Sequence, residues 1–285
     1  MRRVPFTIAL RHPVMGVTTR SGYLLEGPAG WGECSPLASW NEAERGAAER
    51  CALEAATLPF PVAVRDRIAV NAMVPRLAPD VAAAFALESG CSTIKVKVGD
   101  DQSVDRVAAV RSACGPNVRI RCDANGAWNV DTALRMLLLL TPFDIELVED
   151  PVASLEELAW LRSRIGMPVA AESCIRTTAD ARRLRQLEAA DAIVLKPQRI
   201  GGVREALRAA EAAGVPAIAS SALETSIGLA SVVALAAALP EAPYAHGAGT
   251  ALLLASDVVA NPLIPVDGWL TPGRQAVDLQ LLTTV

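Results

Sequence analysis

A chain of 285 residues with 52% hydrophobic side chains can bury one large core, or a large and a small one, which excludes a disordered segment. Its net charge of -4 without a basic run sets nucleic acid aside as a partner, and its longest uncharged apolar run, Thr225 to Pro240, is too short for a bilayer span and reads as a buried helix. The six cysteines (Cys34, Cys51, Cys91, Cys114, Cys122, Cys174) show no CxxC pair or zinc spacing, and no apolar stretch follows Met1-Arg2-Arg3-Val4-Pro5, so a cytoplasmic protein with reduced cysteines and no signal peptide is expected.

In chain order, strand-like runs come first, at Thr7 to Leu10, Ser21 to Glu26 and Trp31 to Cys34. A helical pattern follows from Asn41 to Thr57, with Ser39 or Asn41 as N-cap, and Leu58-Pro59-Phe60-Pro61 ends it. These elements predict a small α+β capping domain over residues 1–62. Beyond it, short apolar strands centre near residues 71, 95, 121, 147, 171, 195, 218 and 247, at intervals of about 25 residues. Helical stretches fill the gaps. Asp80 and Asp101 are expected to open two of them, Ser154 to Glu157 has capping-box spacing, and Gly201-Gly202 precedes another. Strands alternating with helices at this period predict an α/β fold, a (β/α)₈-type TIM barrel over residues 63–256 whose last unit is open to modification. An open doubly wound sheet lacks the Gly-rich fingerprint it would need after its first strand. The Pro- and Gly-rich tail, residues 257–285, is expected to pack back on the N-terminal domain.

Barrel enzymes place their chemistry at the C-terminal strand ends. There the second strand carries Lys95 and Lys97, the third Asp123 and Asn125, the fourth Glu149, the fifth Glu172 and the sixth Lys196. Any one of these could be a helix cap, a turn residue or a solvated charge. Lys95 and Lys97 on an edge strand would be ordinary solubilising charge. Recurrence of the same two charge types at equivalent places in five consecutive units favours a site. Three converging carboxylates (Asp123, Glu149, Glu172) repel one another, and a hard divalent cation removes the conflict, with Mg²⁺ fitting best and Mn²⁺ an acceptable substitute. Such a site suits proton abstraction beside a substrate carboxylate: Lys97 as the base, its pKa lowered by the Lys95 ammonium and the cation, and Lys196 across the mouth as a second acid/base or a positive charge facing the enediolate. The expected partner is a small carboxylate, and neither a monomer nor an oligomer is favoured.

The Lys95-Val96-Lys97 strand, Asp123-Ala124-Asn125, Val148-Glu149-Asp150-Pro151 and Leu195-Lys196-Pro197 resemble the enolase superfamily, muconate-lactonising branch. Gly30 to Leu37 is similar to that branch's capping-domain loop. Ser220 to Gly228 and Gly249 to Leu253 are most similar to its actinobacterial o-succinylbenzoate synthase family. The resemblance covers nearly the whole chain. It implies Mg-dependent loss of water from a succinyl-hydroxycyclohexadiene carboxylate in menaquinone biosynthesis, with Lys97 acting on one face and Lys196 stabilising the enediolate. It also implies substrate contacts at Asn125, Ser220, Ser221 and Gly249. The branch commonly reads Asp-Glu-Ser on its fifth strand, where this chain has Ala171-Glu172-Ser173. Aligning through Ile175-Arg176 puts Glu172 in the ligand position and Ser173 in place of the usual acidic neighbour. Relatives also often carry arginine near Met15-Gly16. N-acylamino-acid racemisation, a Schiff-base lyase using Lys196, and a non-catalytic metal-binding barrel stand as alternatives.

Overall fold

The computed structural model describes residues 1–282; the last three residues of the expected tail lie outside them. Strands β1 (Arg2–Val14), β2 (Val17–Gly27) and β3 (Gly30–Cys34) form an antiparallel sheet, and helix α1 (Glu42–Thr57) packs across it. Asn41 and Glu44 cap α1 reciprocally, settling the choice between Ser39 and Asn41. The helix buries small side chains, Ala47, Ala48, Cys51, Ala52, Ala55 and Ala56, so its backbone comes close to the sheet. At Gly32 a Cβ would lie 2.0 Å from the Ala52 carbonyl oxygen. Because both groups are backbone, Gly32→Ala is expected to cost about 3 kcal/mol, the upper range for overpacking, and thermal denaturation of the variant checks it.

The second unit opens with β4 (Ile68–Ala69) and β5 (Ala72–Val74). It continues through α2 (Pro79–Glu88), β6 (Thr93–Lys97), α3 (Ser103–Cys114), β7 (Arg119–Asp123), α4 (Val130–Leu140), β8 (Ile145–Glu149) and α5 (Leu155–Arg162). It closes with β9 (Val169–Ala171), α6 (Thr178–Leu187), β10 (Ala192–Leu195), a one-turn α7 (Pro197–Ile200), α8 (Val203–Ala213), β11 (Ala217–Ala219) and α9 (Ser226–Ala238). Strands β5 to β11 pair in parallel in chain order, with helices between them, as right-handed βαβ repetition requires. The eighth expected strand, near residue 247, is reduced to two residues. His246 bridges Val70 and Gly247 bridges Ser220, which joins the two edges of the seven-stranded sheet. A side chain at 247 would meet Ser220 Oγ at 2.5 Å, so glycine lets the closing segment sit tightly.

Several expected helix starts shift. Ala78, not Asp80, is the N-cap of α2, with Pro79 leading the helix, and α3 starts at Ser103 rather than Asp101. Ser154 caps α5 as expected. Gly201 and Gly202 both adopt positive φ, and the start of α8 is filled from the other domain: Glu54 of α1 accepts from the Val203 and Arg204 amides. Helix α9 is buried on nearly every side, as the apolar run implied. From the tail, β12 (Trp269–Leu270) pairs with β4, Val258 and Val259 pack with Phe6, Ile8 and Leu24, and Arg274 donates to the Ala55 and Leu58 carbonyls of α1. No helix among the described residues is long and apolar enough to cross a membrane.

Candidate active site

Strand β6 lies between β5 and β7 and all five of its residues are buried, which removes the edge-strand reading of its lysines. Lys95 is 6% exposed and Lys97 7%. Parallel pairing sets Lys97 opposite Asp123, and Asp123 opposite Glu149, so one row of strand ends carries all three charges. Lys95 Nζ lies 3.1 Å from Glu149 Oε2 and 3.2 Å from Asp123 Oδ2. Lys97 Nζ donates to Asp123 Oδ2 at 2.5 Å and to Asn125 Oδ1 at 2.8 Å. Across the mouth, Lys196 Nζ donates to Glu172 Oε2 at 2.6 Å.

The two lysines of β6 diverge electrostatically. Burial disfavours the charged form of Lys95, but Glu149 and Asp123 more than offset it and hold the group above the ordinary lysine value. For Lys97 burial prevails. Asp123 opposes it, the Lys95 and Lys196 ammonium groups reinforce it, and the pKa falls. Asp123 is driven well below the usual carboxylate range, its burial overcome by Lys97 and Lys95. Burial also raises Glu149, with repulsion from Asp123 adding to it, whereas Lys196 and Arg199 override burial at Glu172 and bring it down to about 2.

A cavity of about 600 Å³ opens above this row, between the strand ends and the small domain. Lys95, Lys97, Asn125, Glu172 and Lys196 line it, and so do Ser220 and Ser221. Gly249 does not. It begins a 3₁₀ turn (Gly249–Leu253) packed on the Asn71 carbonyl, while Gly247 and Thr250 face the cavity. Met15 and Gly16 of the β1–β2 turn and Trp40 form the opposite wall.

Sequence reasoning missed two side chains. Arg199, three residues after Lys196 on α7, donates to Glu172 Oε1 at 2.7 Å and to Glu44 Oε1 at 2.8 Å, tying the site to α1. Asp150 accepts from the Glu172 amide at 2.8 Å and the Ser173 amide at 2.7 Å, fixing the backbone that carries Glu172. Burial, helped by repulsion from Glu172 and Glu149, pushes Asp150 up to about 7. Its place directly after Glu149 at a strand end was the available signal.

Among the described residues no three His, Cys, Asp or Glu side chains are gathered closely enough to hold a metal ion as they stand. Asp123, Glu149 and Glu172 instead each meet an amine. The donor chemistry nonetheless fits a hard divalent cation: oxygen ligands alone, from three neighbouring strand ends, with Glu149 repelled by both other carboxylates.

Known proteins bear on this arrangement. The family described as Enolase C-terminal domain-like matches residues 79–275, and the one described as Enolase N-terminal domain-like matches residues 5–56. The o-succinylbenzoate synthase of Thermobifida fusca is 50% identical, over 98% of this chain and 90% of that one. That of Mycolicibacterium smegmatis is 42% identical over 92% and 83%. Among solved structures, muconate lactonizing enzyme from Pseudomonas fluorescens, complexed with muconolactone, superposes with a TM-score of 0.86 at 22% identity, covering 99% and 96% of the two chains. N-succinyl Arg/Lys racemase from Bacillus cereus gives a TM-score of 0.85 at 19% identity, over 99% and 97%. These two likenesses concern the fold.

Proposed function

The chain belongs to the Enolase C-terminal domain-like family, and on that premise we propose that it catalyses the o-succinylbenzoate synthase reaction. The reaction is the syn-dehydration of 2-succinyl-6-hydroxy-2,4-cyclohexadiene-1-carboxylate in menaquinone biosynthesis, a hydro-lyase step in the cytoplasm. The observation that carries the reading is a pair of amines in one cavity: Lys97 at the end of the second strand of the sheet, beside Asp123, and Lys196 directly after the sixth, beside Glu172. A relative named o-succinylbenzoate synthase, half identical over nearly the full length, supports the substrate.

Asp123, Glu149 and Glu172 would hold the divalent cation, Mg²⁺ by preference with Mn²⁺ as substitute. When bound, it supplies positive charge to the substrate carboxylate. Lys97 in its neutral form removes the proton from C1, beside that carboxylate, and the C–H electron pair moves into the enediolate. The Lys196 ammonium faces the developing negative charge. Lys97, now protonated, returns its proton to the hydroxyl leaving C6 on the same face. Water departs and the ring becomes aromatic, so one base serves both halves of the step.

Lys97 and Lys196, lining one cavity from the second strand and from just after the sixth strand of the sheet, also favour a second reading, racemisation of N-acylamino acids. Incubation with N-succinyl amino acids in deuterated water reports α-exchange if that activity is present. A Schiff base on Lys196 would be reported by borohydride trapping with a carbonyl substrate, and dependence of turnover on Mg²⁺ would count against it. The assay for the main reading follows ultraviolet absorbance of o-succinylbenzoate. Steady formation that stops with chelator and resumes with Mg²⁺ is expected, and no formation with Mg²⁺ present contradicts the proposal.

A further inference from the structure

Leu223 stands at the cavity wall in the left-handed region, φ 66°. A leucine adopts that conformation only where its surroundings enforce it. Within the loop, Glu224 Oε2 accepts from the Ala222 amide at 2.6 Å, and further anchors come from the small domain, from side chains that do not line the cavity. Arg20 on β2, 3% exposed, donates from Nε to the Leu223 carbonyl at 3.1 Å and from Nη2 to the Ser35 carbonyl. Glu33 on β3, 2% exposed, accepts from Ser35 Oγ at 2.6 Å, from the Thr225 amide at 3.2 Å and from the Gly228 amide at 2.9 Å, and also from Thr225 Oγ1. Its carboxylate therefore caps the thirteen-residue helix α9 directly after the strained loop. Within the loop, Ser221 Oγ lies 2.5 Å from Thr250 Oγ1 and accepts from the Leu223 amide at 3.3 Å. The Leu223 side chain packs with Val14 beside the β1–β2 turn and with Met73 of β5.

We propose that Arg20 and Glu33 are positioning residues: by holding Leu223 left-handed, they set the wall formed by Ser221 and Leu223 against which the substrate is bound. The inference deepens the proposed reaction and rests on it for the ligand. Release of Leu223 to an ordinary φ rotates the flanking peptides and parts Ser221 from Thr250. The small domain thus contributes to the site through the backbone of a barrel loop as well as through its own cavity-lining residues.

The test uses Arg20→Lys, which keeps a charge facing Glu33 and Glu224 but cannot reach both carbonyls. Three quantities are read: KM against kcat, o-succinylbenzoate binding by calorimetry, and hydrogen exchange at Ala222 to Thr225. Expected are a roughly tenfold higher KM and a roughly tenfold loss of product affinity, with kcat within about threefold and faster exchange confined to that segment. Leu223→Gly supplies the decisive background, because glycine holds φ 66° without strain. There the Arg20→Lys effect is expected to shrink to about twofold or less, a non-additivity that a purely structural role does not produce. Equal losses in both backgrounds, or unchanged exchange at Ala222 to Thr225, overturn the inference. If the parent protein binds no o-succinylbenzoate, the proposed reaction fails, and exchange in the two backgrounds still decides the role of Arg20.

Discussion

Lys97→Ala is expected to lower kcat for dehydration roughly 10⁴-fold, the upper range for a positioned general base, because one amine serves both proton transfers. The loss should appear in kcat with little change in affinity for the divalent cation. Asp123 keeps Lys95 at 3.2 Å when Lys97 is removed, and Glu149 and Glu172 keep their own partners. Calorimetric titration with Mg²⁺ separates loss of the base from loss of the site. Lys97→Arg is the stringent companion: it retains bulk and charge but does not deprotonate, so it should be as inactive as the alanine variant. Turnover retained in either would contradict the assignment.

Glu172→Gln is expected to have the second largest effect, lowering affinity for the divalent cation at least 100-fold and kcat/KM about 1000-fold. The glutamine keeps the shape but removes the charge that Lys196 and Arg199 share at 2.6 and 2.7 Å. Two cations would then face a neutral amide in a buried site, so a modest fall in thermal stability should accompany the loss. Ser173→Ala, one residue along, should change kcat/KM by no more than about threefold. The contrast tests which residue of Ala171-Glu172-Ser173 holds the cation. Unchanged affinity for the divalent cation in Glu172→Gln would show that the alignment through Ile175-Arg176 is wrong.

Much of the barrel was legible because short strands rich in Val, Ile, Leu and Ala recur at a regular spacing with helices between them, even where β6, β7 and β8 alternate apolar with charged residues. The eighth strand, in the unit whose modification was allowed for, is reduced to two residues. His246 and Gly247 close the sheet by two bridges, too short a segment to leave a periodic pattern. Helix starts slipped at Asp80 and Asp101 because proline and a serine two residues on offered better local geometry. The charged row was legible because pairing in register brings equivalent strand ends together, so Lys97, Asp123 and Glu149 could be grouped before any contact was seen. Contacts across the domain seam were not. Arg20 and Leu223 are 203 residues apart, and Glu54 caps a helix that begins 149 residues later. Asp150 carried a signal in its position but none for its role, which depends on the amides of the neighbouring strand end.

The division of labour on β6 is the centre of the account: Lys95 stays charged, and its charge together with burial keeps the Lys97 amine available as a base. Because the Lys97 pKa is lowered, the active neutral fraction is reached at lower pH than for an ordinary lysine, and kcat/KM should rise with pH along a limb below the usual lysine range. Removing the Lys95 charge removes a like charge beside Lys97 and frees Asp123 and Glu149 to favour its protonated form, so both changes raise its pKa. The measurement is the pH profile of kcat/KM for the parent protein and for Lys95→Met. The account predicts that the ascending limb moves to higher pH in the variant; a limb that stays in place or moves to lower pH would contradict it.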